Sequence, residues 1–244
     1  MLRKTSLTQE AYERLRSDLL ACRLKPGERL RINELGARLA VSAGAVREAL
    51  SRLTAEGLVC AEPRRGFRAM PISAVDLQDL AEVRTEIEGL CLRRAIEIGD
   101  LAWESRIVAA YHLLASTAHH ATDDPHRLSD EYSRVHANFH EALVSACDSP
   151  WLRKMRLMLF AQSERYRGLS IPLARFERDR NREHRDLMRA VLAREPERAV
   201  ASMQQHMQTT SRILLDAMAT AMATDEQISS SSSDQKPDPR PVPR

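Results

Sequence analysis

Hydrophobic positions along the chain first recur as Tyr12, Leu15, Leu19 and Cys22, one face of a helix over residues 7–23 that Lys25-Pro26-Gly27 closes. Ile32, Leu35 and Leu39 then lay a single apolar stripe on a short second helix. Val41-Ser42-Ala43-Gly44 interrupts it, and the Ser42 hydroxyl can accept from backbone N–H groups that lack partners at the start of the next helix. That helix carries Val46, Ala49, Leu50 and Leu53 on its buried side, with Arg47, Ser51 and Arg52 elsewhere, and Gly57 ends it. Residues 58–61 and 67–70 read as two short strands. Glu62-Pro63-Arg64-Arg65-Gly66 joins them, a turn with two adjacent arginines. Helix, helix, basic hairpin is the order of a winged helix-turn-helix, whose second helix enters the major groove.

Beyond Pro71 the period stays helical. Residues 73–98 (capped by Ser73), 101–121, 126–147, 151–167, 173–194 and 197–222 are separated by short breaks rich in Gly, Asp and Pro. No glycine-rich phosphate loop or alternating strand pattern interrupts them. The expected fold class is therefore mainly α: an N-terminal winged helix-turn-helix with a small β-hairpin wing over residues 1–70, and a C-terminal antiparallel six-helix bundle over residues 71–222. Residues 223–244 contain a serine run and KPDPRPVPR, cannot bury apolar surface, and are expected to be a disordered tail.

Charge sharpens this division. The net charge is +3, but residues 1–70 hold 14 Lys and Arg against 8 Asp and Glu, so they carry +6 and the remainder carries −3. A polyanion would dock on the front third. Aromatics at 4% are too few for a platform that stacks single-stranded bases. Cys22, Cys60, Cys91 and Cys147 show no metal-type or disulfide spacing. No apolar run reaches the roughly 20 residues needed to cross a bilayer and no signal-peptide core opens the chain, so the expected location is cytoplasmic.

Four histidines in the helical part carry a separate chemistry. His136 and His140 are four residues apart and share a helix face beside Phe139 and Leu143. His184 lies on a stripe with Leu187, Met188 and Val191, and His206 lies between Met203 and Met207. A turn at Glu195 has His184 eleven residues before it and His206 eleven after it, so antiparallel packing brings both to one height. Inward imidazoles at one level suit Zn²⁺ or a similar divalent ion. His112, His119, His120 and His126 lack such partners and are expected at the surface.

These stretches together resemble the GntR family of bacterial transcription regulators, in its FadR-like branch. The resemblance rests on KPGERL (25–30), NELGARLAVS (33–42), VREALSRLTAEGLV (46–59) and PRRG (63–66). In the second part it rests on EVRTEIE (82–88), HANFHEAL (136–143), EHRDLMRAV (183–191) and QQHM (204–207). It implies a dimer that reads an inverted-repeat DNA operator, most simply as a repressor, and an all-helical domain that takes a small-molecule effector. Arg47 matches the arginine of the family's VREAL run, and a guanidinium there can reach guanine O6 and N7. Ser42 and Gly44 could bring backbone N–H groups against phosphate. Arg52 and Asn33 are phosphate candidates, and Arg64 and Arg65 reach phosphate or the minor groove while Gly66 permits the tight turn. Where the family has an Arg-Thr-Pro type run, this chain has Ala43-Gly44-Ala45, so a relative's operator does not transfer to it.

The resemblance also implies a metal held by His140, His184 and His206, with an acidic residue or asparagine where His136 stands here. A neutral imidazole at that position leaves more of the ion's charge uncompensated, which favours an anionic effector such as a small organic acid. Arg84 resembles an arginine that faces the effector cavity, and a guanidinium suits a carboxylate; an ion pair with Glu88 one turn on is the other reading. The rival function is a metal-dependent hydrolase using the histidine cluster. Glu141 and Glu183 sit beside the candidate ligands, but no HExxH spacing is present and the basic front third would have no role.

Overall fold

Each predicted stripe finds a core to bury it. The computed structural model describes residues 6–122, 128–170 and 179–232, with the side chains at 168, 170 and 221–232 outside the description. The winged unit consists of α1 (Leu7–Leu20), β1 (Arg29–Leu30), α2 (Ile32–Leu39), α3 (Ala43–Ala55), β2 (Val59–Glu62) and β3 (Gly66–Ala69). Leu15, Leu19, Leu35, Val46, Leu50, Leu53 and Leu58 close on one another in its core. Ser42 caps α3 by accepting from the Ala45 N–H at 3.2 Å. Gly44 therefore lies inside α3 rather than in the break before it, and left-handed Ala40 makes the turn between the helices (φ 56°). At the far end Gly57 takes a positive φ of 72° and lets the Leu58 N–H reach back to the Leu53 carbonyl at 3.0 Å.

The sheet has three strands in the order β1-β3-β2, all antiparallel. Val59 pairs with Ala69 and Glu62 with Gly66, which makes the predicted hairpin; Arg29 and Leu30 add the third strand opposite Arg68 and Phe67. A two-residue strand has no period to read, so pattern alone could not announce it.

The bundle comprises α4 (Ala74–Ile98), α5 (Leu101–Ser116), α6 (Asp130–Val144), α7 (Pro150–Ser170), α8 (Arg180–Leu192) and α9 (Pro196–Ser232). Ser73, Asp100, Ser129 and Asp179 each cap the helix that follows. Trp103 anchors the bundle core among Leu92, Phe139, Leu143, Leu187 and Met203, and its indole N–H donates to the Ala142 carbonyl at 2.9 Å. Gly99 is needed there, since a Cβ would fall 2.1 Å from the Trp103 ring. The last helix runs on to Ser232 instead of ending at 222, while residues 233–244 and His126 lie outside the described residues. Among the described residues no helix is long and apolar enough to cross a membrane.

A buried ion pair stitches α4 to α7. Glu88 is fully buried and accepts from Arg156 Nε at 2.8 Å, while Arg156 Nη1 reaches Glu141 on α6 at 2.6 Å. Tyr166 of α7 packs with Leu77 of α4 and Leu214 of α9 in a second, smaller cluster of the bundle.

Candidate metal centre and DNA-reading face

Three helices deliver the histidines to one point. His136 and His140 stand one turn apart on α6, His184 rises from α8, and His206 comes from α9. All four are buried, and one ring nitrogen from each lies within 4.8 Å of the others. The His184 and His206 ring centroids are 4.6 Å apart, as equal spacing about the α8–α9 turn requires. His140 and His136 approach through their Nε2 atoms at 3.2 Å. A tetrahedral ion with Zn–N bonds of about 2.0–2.1 Å spaces its nitrogens by about 3.3 Å, so that pair is already at ligand separation.

The chemistry of the set fits a cation. Burial above all, with Arg167 next, holds the His136 pKa well below the ordinary histidine value. Burial likewise depresses His140, followed by the neighbouring His206 and His184. Both are therefore neutral imidazoles with a lone pair to offer. Ligation through Nε2 would leave Nδ1 of His136 and His140 as the protonated nitrogens, and these find no hydrogen-bond partner among the described residues. His206 Nδ1 lies 2.8 Å from Glu183. A carboxylate can only accept, so the proton sits on Nδ1 and Nε2 is left as the acceptor nitrogen.

Beside the cluster is a cavity of about 40 Å³ lined by Arg84, His136, Ser163, Arg167, His206 and Thr210. That volume holds a few waters, not an organic acid, so a ligand of that kind must push its walls apart. Arg84 is near Glu88 and also lines this cavity. It bonds to the Ser163 hydroxyl and lies 3.4 Å from Glu88. His112 and His120 are exposed as expected. His119 is not: it is half-buried and stacks edge-on against Tyr132 at 4.4 Å, outside the cluster, because the loop after α5 folds back onto α6.

On the winged unit Asn33, Ser42, Gly44, Arg47, Arg52, Arg64, Arg65 and Gly66 are all exposed. Arg47 and Arg64 have no ion-pair partner among the described residues. Arg64 sits at the wing tip with φ 64°, and Gly66 follows with φ 91°. Arg52 differs, because its guanidinium lies 3.9 Å over the Tyr12 ring and donates to Gln9 on α1.

Two family models divide the chain at the boundary between these units. "Bacterial regulatory proteins, gntR family" matches residues 7–68, and "FCD domain" matches residues 79–209. This chain belongs to the GntR family. It is 39% identical over 84% of its length to BphR of Paraburkholderia xenovorans, an uncharacterised HTH-type transcriptional regulator, covering 84% of that protein. It is 34% identical over 88% of its length to the HTH-type transcriptional repressor GlaR of Escherichia coli, covering 99% of it. The fold matches the solved E. coli McbR/YncC with a TM-score of 0.71 at 23% identity, covering 88% of this chain and 99% of that one. A putative GntR regulator from Rhodococcus sp. RHA1 matches with a TM-score of 0.69 at 24% identity, covering 87% and 99%. This GntR-family chain is thus a transcription regulator, not an enzyme, with a DNA-binding winged unit and an FCD domain of the effector-binding kind.

Sequence reasoning missed the α7 side of the site. Phe160, Ser163, Glu164 and Arg167 wall the histidines, with Glu164 4.0 Å from His136 Nδ1 and paired to Arg167 at 2.6 Å. Their only signal was the density of charge on a helix that otherwise reads as core.

Proposed function

We propose that this regulator is a cytoplasmic, dimeric repressor that reads an inverted-repeat operator and is controlled by a small carboxylate effector at a metal held by His136, His140, His184 and His206. The observation that carries this reading is the buried convergence of four imidazoles beside an arginine-lined cavity, behind an exposed basic winged unit. A bound divalent ion, Zn²⁺ by the all-nitrogen donor set, would supply a localised positive charge; four imidazoles complete a tetrahedral shell, so an anion would join as a fifth ligand or replace His136. Four neutral ligands leave that charge uncompensated. Arg84 and Arg167 add two guanidinium groups on the cavity wall, suited to a carboxylate's second oxygen.

On DNA, Arg47 is assigned to a guanine edge, and Ser42, Gly44 and Asn33 to phosphate through the starts of α3 and α2. Arg64 and Arg65 project from the wing toward phosphate or the minor groove, with Gly66 shaping the turn. Arg52 is assigned to phosphate by way of its Tyr12 platform. The repressor sense is supported by the name of the E. coli relative GlaR. Self-association is supported by exposed apolar side chains on two helices that pack together: Val83 and Leu90 on α4, and Trp151, Met155 and Met158 on α7.

Neither carboxylate that the hydrolase reading would use as a base is free among the described residues. Glu141 is paired to Arg153 and Arg156, and Glu183 is bonded to His206. Elemental analysis of purified protein, against His140→Ala and His184→Ala, tests the metal. Footprinting on genomic DNA at several salt concentrations, with and without added small organic acids, tests the operator and effector. About one ion per chain and a footprint that an acid weakens are expected. A metal-free protein, or a footprint that no acid alters, overturns the respective half.

A further inference from the structure

Helix α7 faces two ways within two turns. Toward the histidines, Ser163 accepts from Arg84, Glu164 stands 4.0 Å from His136 Nδ1, and the Phe160 ring lies 4.8 Å beneath the Arg84 guanidinium and 6.2 Å from His140. Toward the winged unit, Gln162 Nε2 donates to the Glu56 carbonyl at 2.6 Å, and Arg165 bonds to the Met70 carbonyl. The Arg165 carbonyl in turn accepts from the Cys22 thiol at 3.4 Å.

Glu56 is the C-terminal cap of α3, the helix that carries Arg47. Its carboxylate is held by Tyr12 and by Arg16 at 2.9 Å, both on α1. Gly57 stands where a Cβ would come within 3.1 Å of Gln162 Nε2, so its bare backbone is what admits the glutamine. A helix moves as a rod over one turn, because its backbone bonds are stiffer than the side-chain contacts on either side. A shift at Ser163 or Glu164 must therefore displace Gln162 and Arg165.

Resting on the metal-centred reading above, we propose that residues 160–167 of α7 couple the histidine cavity to the recognition helix. Gln162 is the positioning residue through which occupancy reaches α3. The drive is charge: a dication at the imidazoles would draw Glu164, 4.0 Å from His136 Nδ1, and repel Arg167 on the cavity wall, and both stand on α7, which is also attached to the winged unit. Coupling of this kind is reciprocal, so engagement of α3 by DNA must also alter affinity at the histidines.

The test uses the full-length chain and Zn²⁺ alone as the probe, with amide hydrogen exchange read at residues 54–58 and Zn²⁺ stoichiometry measured in parallel. In the wild type, Zn²⁺ loading changes exchange at these amides by about fivefold or more, the lower end of ordinary allosteric coupling. In Gln162→Met, which keeps the side chain's length and loses its donor, Zn²⁺ still binds and protects α6 and α9, but the response at residues 54–58 is lost. Ser163→Ala, on the cavity side of the same turn, reduces that response without touching the winged unit. A response that survives in Gln162→Met, or one confined to the histidines in the wild type, overturns the coupling while leaving the metal reading intact. A chain that takes up no Zn²⁺ overturns both.

Discussion

Glu183 holds His206 by a 2.8 Å contact between its carboxylate and Nδ1, one residue away from His184 in the same cluster. One short segment of α8 thus contributes a candidate ligand and the group that orients another. Carboxylates behind ligand histidines fix the tautomer and strengthen the donor, and losing one costs about 10–100-fold in metal affinity. Glu183→Gln should weaken Zn²⁺ binding by that factor while leaving the melting temperature of the metal-free protein close to wild type. Competition with a chromogenic chelator measures it. Unchanged affinity would show that His206 is oriented by packing alone.

Arg47 tests the other end of the molecule. It is exposed on the second turn of α3 with no ion-pair partner among the described residues, so Arg47→Ala removes little from the fold. A bidentate guanine contact is worth about 1–3 kcal/mol of discrimination. The variant should therefore lose that much preference for the operator and keep its nonspecific, salt-sensitive affinity. Competition binding against unrelated duplex resolves the two. Arg64→Ala should instead weaken binding to all sequences alike and flatten the salt dependence.

Glu88 and Arg156 form a buried ion pair across the α4–α7 seam. Glu88 is 0% exposed and Arg156 1%, so neither can be rescued by water if its partner is removed. Breaking a buried pair from one side costs about 3–5 kcal/mol. Glu88→Ala should lower the urea midpoint accordingly and also free Arg84 from its 3.4 Å contact. Replacing both members, Glu88→Leu with Arg156→Met, should recover much of the loss. If the single variant unfolds with the wild-type midpoint, the seam is hydrated in solution.

How far the sequence discloses this architecture depends on the range of each interaction. The helices of both units are legible because their stripes are local, and His184 and His206 are legible because a single turn relates them. The cluster as a whole follows once His136 and His140 are added, since both lie on the apolar side of α6. The Gln162–Glu56 contact spans 106 residues and Glu88–Arg156 spans 68. No periodicity connects such pairs; only the packed bundle does. Arg52 illustrates the converse, where an exposed arginine that reads as a phosphate contact rests on Tyr12 because α1 crosses beneath it.

Trp151 offers a direct test of self-association. It is 72% exposed on α7, unusual for so large an apolar ring, and shares its helix with exposed Met155 and Met158. Central aromatic residues at an interface are worth about 2 kcal/mol or more each. Trp151→Glu should raise the dimer dissociation constant by about 30-fold or more and lower operator affinity, because two half-sites would no longer be engaged together. Sedimentation velocity over a concentration series reads the first effect. A variant that sediments as the wild type does would place the dimer contact elsewhere.

The metal-free protein should lose stability on mild acidification, and the sign follows from burial. In the fold, His136 and His140 are held well below the ordinary histidine pKa, chiefly by desolvation. In the unfolded chain they titrate near about 6.5. Below that pH the unfolded chain takes up protons that the folded one refuses, so stability falls as pH falls, until the folded histidines themselves titrate; above it their contribution is flat. At about pH 5.5 the loss is up to about 1.4 kcal/mol for each histidine. Chelator-treated protein should therefore show a lower urea midpoint at about pH 5.5 than at about pH 7.5. The double variant His136→Phe with His140→Leu, which carries no proton at either position, should lose that part of the slope. Equal slopes in the two proteins would mean that water reaches the imidazoles and that the cluster is open rather than buried.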